Sequence, residues 1–176
     1  MIYLLVGNSG SGKSTQASIL EKNKNFKRII TYTTRDMRSG EIDGVDYNFV
    51  SFDEFKDLER DDKLLAITNF AQNFYGVPKD EILDAINNKR DVLLIVDYNG
   101  VRDIKSLTSD VICIYLKLSY DGLLRRMEER GDRGFDIDNR MRDNKDFSNY
   151  ADYIIDGSKS YLEIEREIDK IIGERV

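Results

Sequence analysis

The residues best suited to chemistry follow the first apolar segment of the chain. Gly7-Asn8-Ser9-Gly10-Ser11-Gly12-Lys13-Ser14 matches the pattern G-x-x-x-x-G-K-[ST], with Thr15 next in the chain. Small residues let the backbone wrap closely around a phosphate, and the helix that follows adds the positive end of its dipole. Lys13 can neutralise the β- and γ-phosphates of a nucleotide, and the Ser14 hydroxyl can ligate Mg²⁺. The pattern predicts a phosphate-binding loop; the alternative is an ordinary glycine- and serine-rich turn.

A second candidate is Asp97, which ends the apolar run 92–96. Such a run is typical of a parallel strand that is buried on both faces. A carboxylate at the carboxyl end of this strand would lie beside the phosphate loop, where it could hold Mg²⁺ or its waters. The alternative is a helix cap for a segment that starts near Gly100. We favour the ligand-binding role because the strand, the loop and the acid agree.

These residues need a scaffold, and strands alternate with helices along most of the chain. Apolar runs at 2–6, 92–96, 111–117 and 152–155 predict strands, whereas 14–23, 79–88, 119–129 and the segment from Tyr161 onward predict helices. The alternation predicts a P-loop NTPase fold, a three-layer α/β/α arrangement with a mostly parallel central sheet.

The segment from about 33 to 77 interrupts this alternation with extra strands. Short strands are predicted at 26–32, 46–51, 64–70 and 74–77, and a helix at 54–61 capped by Ser51 or Asp53. We therefore expect one domain, with a core of about 1–32, 78–118 and 150–176. An inserted lobe would span about 33–77 and an arginine-bearing lid about 119–149.

Composition narrows the function classes. The chain has 176 residues, a net charge of −6, one cysteine and no histidine. The acidic balance argues against a broad nucleic-acid surface, and Cys113 is expected to be a core residue. No run approaches the roughly 20 apolar residues that a membrane span requires, and the N-terminus lacks the basic start of a signal peptide. We expect a cytoplasmic protein without nucleic-acid or membrane partners, a monomer or a homodimer.

The chain resembles the guanylate kinase family of nucleoside monophosphate kinases over nearly its whole length. The specific segment is Thr33-Thr34-Arg35-x-x-Arg38-x-Gly40-Glu41-x-x-Gly44-x-Asp46-Tyr47-x-Phe49-Val50-Ser51, followed by Asn73-Phe74-Tyr75-Gly76 and Asp97-x-x-Gly100-Val101.

The resemblance implies a role for each matching residue. Lys13 and Ser14 would hold ATP and Mg²⁺, with Asp97 at the metal or the acceptor. The acceptor phosphate would be held by Arg35, Arg38, Tyr47 and Tyr75. Arg130 and Arg140 look like the lid arginines that stabilise the transferring phosphoryl group, at a slightly short spacing, and Arg133 and Arg142 compete for that role.

The chain departs from the family where the family reads guanine. Thr31 keeps one hydroxyl, but Ala66 stands at the position of a glutamate and Val77 at that of a second hydroxyl. Thr68, Asn69 or Gln72 could substitute for the glutamate if the strand register shifts. Asp156 replaces an asparagine linked to adenine recognition, and Asn8 a frequent proline.

Three hypotheses follow from the resemblance. The first is a kinase for GMP or dGMP with altered contacts. The second is a kinase of the same architecture for another or modified (deoxy)nucleotide or for ribose 1,5-bisphosphate. The third is a binding module for phosphopeptides without catalysis, which the intact Lys13, Ser14 and Asp97 disfavour.

Overall fold

A computed structural model describes residues 1–24, 26–38, 40–70, 72–132 and 134–173. The strands are β1 (Ile2–Val6), β2 (Lys27–Arg28), β3 (Tyr32–Thr33), β4 (Asn48–Phe49), β5 (Leu64–Phe70), β6 (Asn73–Pro78), β7 (Val92–Ile95), β8 (Val111–Lys117) and β9 (Tyr153–Asp156). The helices are α1 (Lys13–Lys24), α2 (Phe52–Arg60), α3 (Lys79–Asn87), α4 (Tyr98–Leu107), α5 (Tyr120–Glu129), α6 (Gly134–Arg142) and α7 (Tyr161–Gly173).

The central sheet has five parallel strands in the order β2-β7-β1-β8-β9. In its middle, Leu4 lies opposite Leu94 on one side and Cys113 on the other. Every residue of β1 is buried, which is the pattern of a strand covered on both faces. Cys113 is a core residue as expected, and burial raises the pKa of its thiol to about 12.

Helices cover both faces of this sheet because successive side chains of a strand point to opposite sides. Leu4 belongs to a core cluster with Ile82 of α3 and Ile104 of α4. Leu5 belongs to the opposite cluster, with Leu20 of α1 and Ile164 of α7. The predicted α/β/α layering with a mostly parallel sheet is confirmed.

A second sheet of four strands, β4-β3-β6-β5, is built from the segment between β2 and α3. The single strand expected over 26–32 is wrong in detail. The chain forms two short strands there, β2 in the central sheet and β3 in the second sheet, because residues 29–31 carry it from one sheet to the other. Ser51 caps α2 in a capping box with Glu54.

The β5–β6 hairpin carries an irregularity near the position where the family has its glutamate. Leu65 pairs with Val77 and Thr68 with Tyr75, so the register shifts between these two pairs. Ala66 lies inside the shift with a φ of 53°, a left-handed conformation that an alanine adopts at some cost. This irregularity decides which side chains of β5 reach the site.

Helices α5 and α6 pack on each other through Leu123, Met127, Ile137 and Met141. The sequence did not predict α6, which is short and mostly polar. Within the described ranges, no helix has the length and apolarity to cross a membrane.

Candidate active site

The phosphate loop joins β1 to α1 with the backbone that the motif requires. Gly7 has a φ of 151°, and a Cβ there would lie 2.6 Å from Ser11 Oγ and 2.7 Å from the Leu116 carbonyl oxygen. Only glycine fits this position. The side chains of Ser14 and Thr15 are exposed in the first turn of α1.

Lys13 closes back onto the loop in this structure. Its Nζ donates to the carbonyl oxygens of Gly7 at 2.6 Å and Asn8 at 2.9 Å. Burial, and then the positive charge of Arg130, lower the pKa of Lys13 to about 8. Among the described residues this ammonium group has only carbonyl partners, and a bound phosphate would give it an anionic one.

One cleft between the two sheets brings together most of the predicted site residues. It is lined by Gly7, Asn8, Ser9, Lys13, Thr31, Arg35, Arg38, Tyr47, Tyr75, Asp97 and Arg140. Gly10, Ser11, Gly12, Ser14, Thr15 and Arg130 do not line it.

Arg35 and Arg38 form the cationic wall on the side of the second sheet. Two nitrogens of Arg35 donate to the two carboxylate oxygens of Glu41, at 3.0 and 2.8 Å. Glu41 also accepts from the Arg38 backbone N–H at 2.7 Å, which fixes the loop that carries both arginines. Burial works against the charged form of Glu41, but these contacts outweigh it and lower its pKa. Glu41 belongs to the motif, yet sequence reasoning gave it no role.

Tyr47 and Tyr75 lie on the same wall, with their ring centroids 6.0 Å apart. The Arg35 guanidinium carbon is 5.4 Å from the Tyr47 ring centroid. Burial, followed by the neighbouring Tyr75, raises the pKa of Tyr47, so this phenol stays a hydrogen-bond donor at neutral pH. Among the described residues neither hydroxyl has a protein partner, which leaves both available to a ligand.

The segment predicted as a lid, which forms α5 and α6, contributes further cations. Arg140 lines the cleft, and Arg130 is close enough for its charge to act on both Lys13 and Arg38. Burial, and then the charges of Arg35, Arg140 and Arg130, lower the pKa of Arg38. Arg142 is exposed at a separate shallow cleft, and Arg133 lies outside the described residues. The structure therefore brings Arg130 and Arg140, rather than Arg142, to the cations of the site.

Asp97 lines the cleft at the end of β7, and it is also the N-cap of α4. Its Oδ1 accepts from the Gly100 N–H at 2.9 Å. The helix cap, which is the alternative role of Asp97, is therefore formed. The Oδ2 atom of Asp97 has no protein partner among the described residues.

The donor set suits Mg²⁺ only as an open site. Within the described ranges, no three acidic or thiol side chains cluster as metal ligands. Mg²⁺ commonly uses one or two protein oxygens, with phosphates and waters completing its shell. Asp97 offers one such oxygen at the cleft, whereas Ser14, the other predicted ligand, is exposed in the first turn of α1 and does not line the cleft.

The cleft is also lined by the apolar side chains of Ala66, Phe70 and Val77 and by two hydroxyl-bearing residues, Thr31 and Thr68. Thr68 is buried, and its Oγ1 accepts from Asn99 Nδ2 at 2.6 Å. Asn69 and Gln72 are exposed and do not line the cleft. Of the three candidate substitutes in β5 and its turn, the register shift brings only Thr68 into the site.

Asn8 links the phosphate loop to Lys145, in the segment that follows α6. Its Nδ2 donates to the Lys145 carbonyl oxygen at 3.0 Å, and its Oδ1 accepts from the Lys145 N–H at 2.9 Å. Proline, frequent at this position in the family, could not make this pair. The two bonds hold Asn144 and Lys145 at the edge of the cleft.

A parallel sheet that presents a phosphate loop to a cleft with arginines on both sides defines a P-loop phosphotransferase. The guanylate kinase family model matches residues 1–172. The chain is 32% identical to the guanylate kinase of Bacillus cereus over 99% of this chain and 88% of that protein. It is 33% identical to that of Rickettsia prowazekii, over 99% and 92% of the two chains. The crystal structure of guanylate kinase from Anaplasma phagocytophilum superposes with a TM-score of 0.74 at 26% identity, covering 99% of this chain and 85% of that one. The chain belongs to the guanylate kinase family and is an ATP-dependent phosphotransferase.

Proposed function

We propose that this protein transfers the γ-phosphate of ATP to the phosphate of GMP or dGMP. The observation that carries this proposal is the pair of cationic walls around one cleft. Arg35 and Arg38 form one wall, and Arg140 of α6 lines the same cleft together with Lys13 of the phosphate loop. Such a site can hold two phosphate-bearing ligands with their phosphates in contact.

Each wall has its own task in this proposal. Lys13 and the loop N–H groups hold the β- and γ-phosphates of ATP. Arg35, Arg38 and the two phenols hold the acceptor phosphate, which is already anionic and needs no strong general base. The lid arginines neutralise charge on the phosphoryl group in transfer. Ser14 and Asp97 are the candidate protein ligands of Mg²⁺, which would help to neutralise the charge of the nucleotide phosphates.

Closure of the site completes the proposal. The lobe at about 33–77 and the lid at about 119–149 would move toward the core and exclude water, since open access would favour ATP hydrolysis. The Asn8–Lys145 pair supports a direct link between the loop and the lid's C-terminal end.

Recognition of guanine without the family glutamate is proposed to use other groups. Thr68 already accepts from Asn99, so its hydroxyl proton is free to donate to a carbonyl such as O6 of guanine. The Thr31 hydroxyl can donate to the base or accept from it. The Asp97 Oδ2 atom can accept from base N–H groups when it does not ligate Mg²⁺. These groups form a donor and acceptor set that complements guanine.

A second candidate acceptor rests on Ala66 and Val77, both buried and apolar at the same end of the cleft. They offer no hydrogen bond to the N1 and N2 donors of guanine, and unpaired donors typically cost about 1–3 kcal/mol. A different or modified (deoxy)nucleotide, or ribose 1,5-bisphosphate, would avoid that cost.

The test measures ADP formation from ATP·Mg²⁺ with GMP, dGMP, AMP, dAMP, CMP, UMP, dUMP, dTMP and ribose 1,5-bisphosphate. We expect GMP or dGMP to react fastest, and Lys13→Ala to remove nearly all turnover. Faster turnover of another acceptor would identify that compound, and not GMP, as the substrate. Wild-type turnover in Lys13→Ala would contradict the kinase mechanism itself.

A further inference from the structure

Asp132 is a nearly buried carboxylate between the two lid arginines. Its side chain is 9% exposed, against 13% for Arg140 and 42% for Arg130. Its Oδ1 accepts from Arg130 Nε at 3.0 Å, and its Oδ2 accepts from both Arg130 Nη2 and, at 2.6 Å, Arg140 Nη1. A single carboxylate oxygen thus joins two cations from different helical segments, Arg130 at the C-terminal end of α5 and Arg140 in α6.

The geometry leaves part of each guanidinium free. Asp132 occupies the Nε–Nη2 edge of Arg130 and one nitrogen of Arg140. Among the described residues, Arg130 Nη1 and Arg140 Nη2 have no protein partner. A phosphoryl oxygen can therefore bind these nitrogens while Asp132 keeps its own bonds, so binding does not require displacement of the carboxylate.

The site is otherwise crowded with positive charge. Lys13, Arg38 and the two lid arginines affect one another, since Arg130 acts on Lys13 and both lid arginines act on Arg38. Without a carboxylate between them, Arg130 and Arg140 would repel each other and spread apart. Glu41 has the matching place on the other wall, where it holds Arg35.

We propose that Asp132 is a positioning residue, the internal counter-ion that holds Arg130 and Arg140 together at the point of phosphoryl transfer. This inference rests on the proposed function, because it assigns the two arginines to the transferring group. In this role Asp132 acts through the two arginines and needs no contact with the substrate. Burial works against its charged form, but the hydrogen bonds and charges of Arg130 and Arg140 outweigh that effect and lower its pKa, so it is ionised at neutral pH.

The experiment compares wild type with Asp132→Asn, Asp132→Glu and a matched control, Asp138→Asn, which removes an exposed carboxylate from α6. The assay is steady-state turnover of ATP·Mg²⁺ and GMP. We expect Asp132→Asn to lower kcat about tenfold or more, since misplaced catalytic groups can cost up to about 100-fold. The KM for GMP should change less than about threefold, because Arg35 and Arg38 are held separately. Asp132→Glu should recover part of kcat, and Asp138→Asn should match wild type.

A second measurement does not depend on turnover or on the folding of a variant. The Nε–H proton of Arg130 should exchange with solvent more slowly than that of exposed Arg142 in NMR spectra of the wild-type protein without ligands. Exchange at equal rates would overturn the inference, because the carboxylate would then not hold Arg130.

The kinetic outcomes separate the two proposals. Unchanged or higher kcat in Asp132→Asn, with an active wild type, overturns the role of Asp132 and leaves the kinase function in place. Equal losses in kcat and GMP affinity, without recovery by Asp132→Glu, indicate a purely structural carboxylate and also overturn it. A wild type that is silent with every acceptor overturns the proposed function, and the role in transfer falls with it.

Discussion

The lowered pKa of Lys13 predicts that ATP binding weakens as pH rises from 7.5 to 9.5. The free Lys13 has a pKa of about 8, so its charged fraction falls from about three-quarters at pH 7.5 to about 3% at pH 9.5. Bound phosphates would place negative charge against Nζ and keep Lys13 charged over this range. If only the ammonium form binds well, the apparent Kd for ATP rises about 25-fold.

Isothermal titration calorimetry of ATP·Mg²⁺ at several pH values measures this rise. The phosphates of ATP are fully ionised across the range, and Tyr47 stays protonated because its pKa is raised. Lys13→Met should bind weakly with little dependence on pH. Lys22→Met, which removes an exposed lysine from the same helix, should keep the wild-type slope.

A flat wild-type profile, or an equal slope in Lys13→Met, would refute this reasoning, since the titrating group would not be Lys13. The effect of pH on folding stability has the opposite sign to its effect on ATP binding: without ligand, the folded chain gains stability as pH rises. Because folding lowers the pKa of Lys13, its charge destabilises the folded chain without ligand below pH 8, and that penalty disappears as pH rises from about 8 toward 10.5. Lys13→Met should therefore be more stable than wild type at pH 7, by a margin that shrinks at high pH.

Three further changes have defined outcomes. Ala66→Glu should raise kcat/KM for GMP about tenfold relative to that for IMP, which lacks the 2-amino group. The reason is that a buried carboxylate would pair with the 2-amino donor of GMP. Equal changes for both nucleotides would argue that position 66 does not contact the base. Arg38→Ala should raise the KM for GMP far more than the Kd for ATP, and parallel losses of both would contradict its place on the acceptor wall. Lys89→Gly should raise the free energy of unfolding by about 1 kcal/mol in urea titrations, because Lys89 follows α3 with a φ of 49°. Lys89→Ala is its control and should show no gain.

Much of the scaffold follows from local sequence. The buried run Ile2–Val6, the loop after it and the run Val111–Lys117 each have one consistent local interpretation, and the structure forms β1 and β8 with those bounds. Arg35 and Arg38 were assigned through the resemblance to the guanylate kinase family, because their spacing alone fits a solvated loop equally well, and the structure places both in the cleft. The division of residues 26–32 between two sheets was not predictable, since strand pairing depends on partners that are distant in the chain.

The sequence alone determined that this chain folds around a phosphate loop and carries the arginines of a kinase, because those features depend on residues that are close in the chain. Tertiary structure decided which polar groups complete the site. Thr68 reaches the cleft only through the shift at Ala66, and Asp97 is at once a helix cap and a cleft residue. In the sequence, Asp132 is one of several charged residues in a segment of mixed acidic and basic side chains, and nothing there distinguishes it. It lies two residues from Arg130 and eight from Arg140. Its burial between them depends on how α5 and α6 pack, and packing is not encoded in the spacing of a few residues.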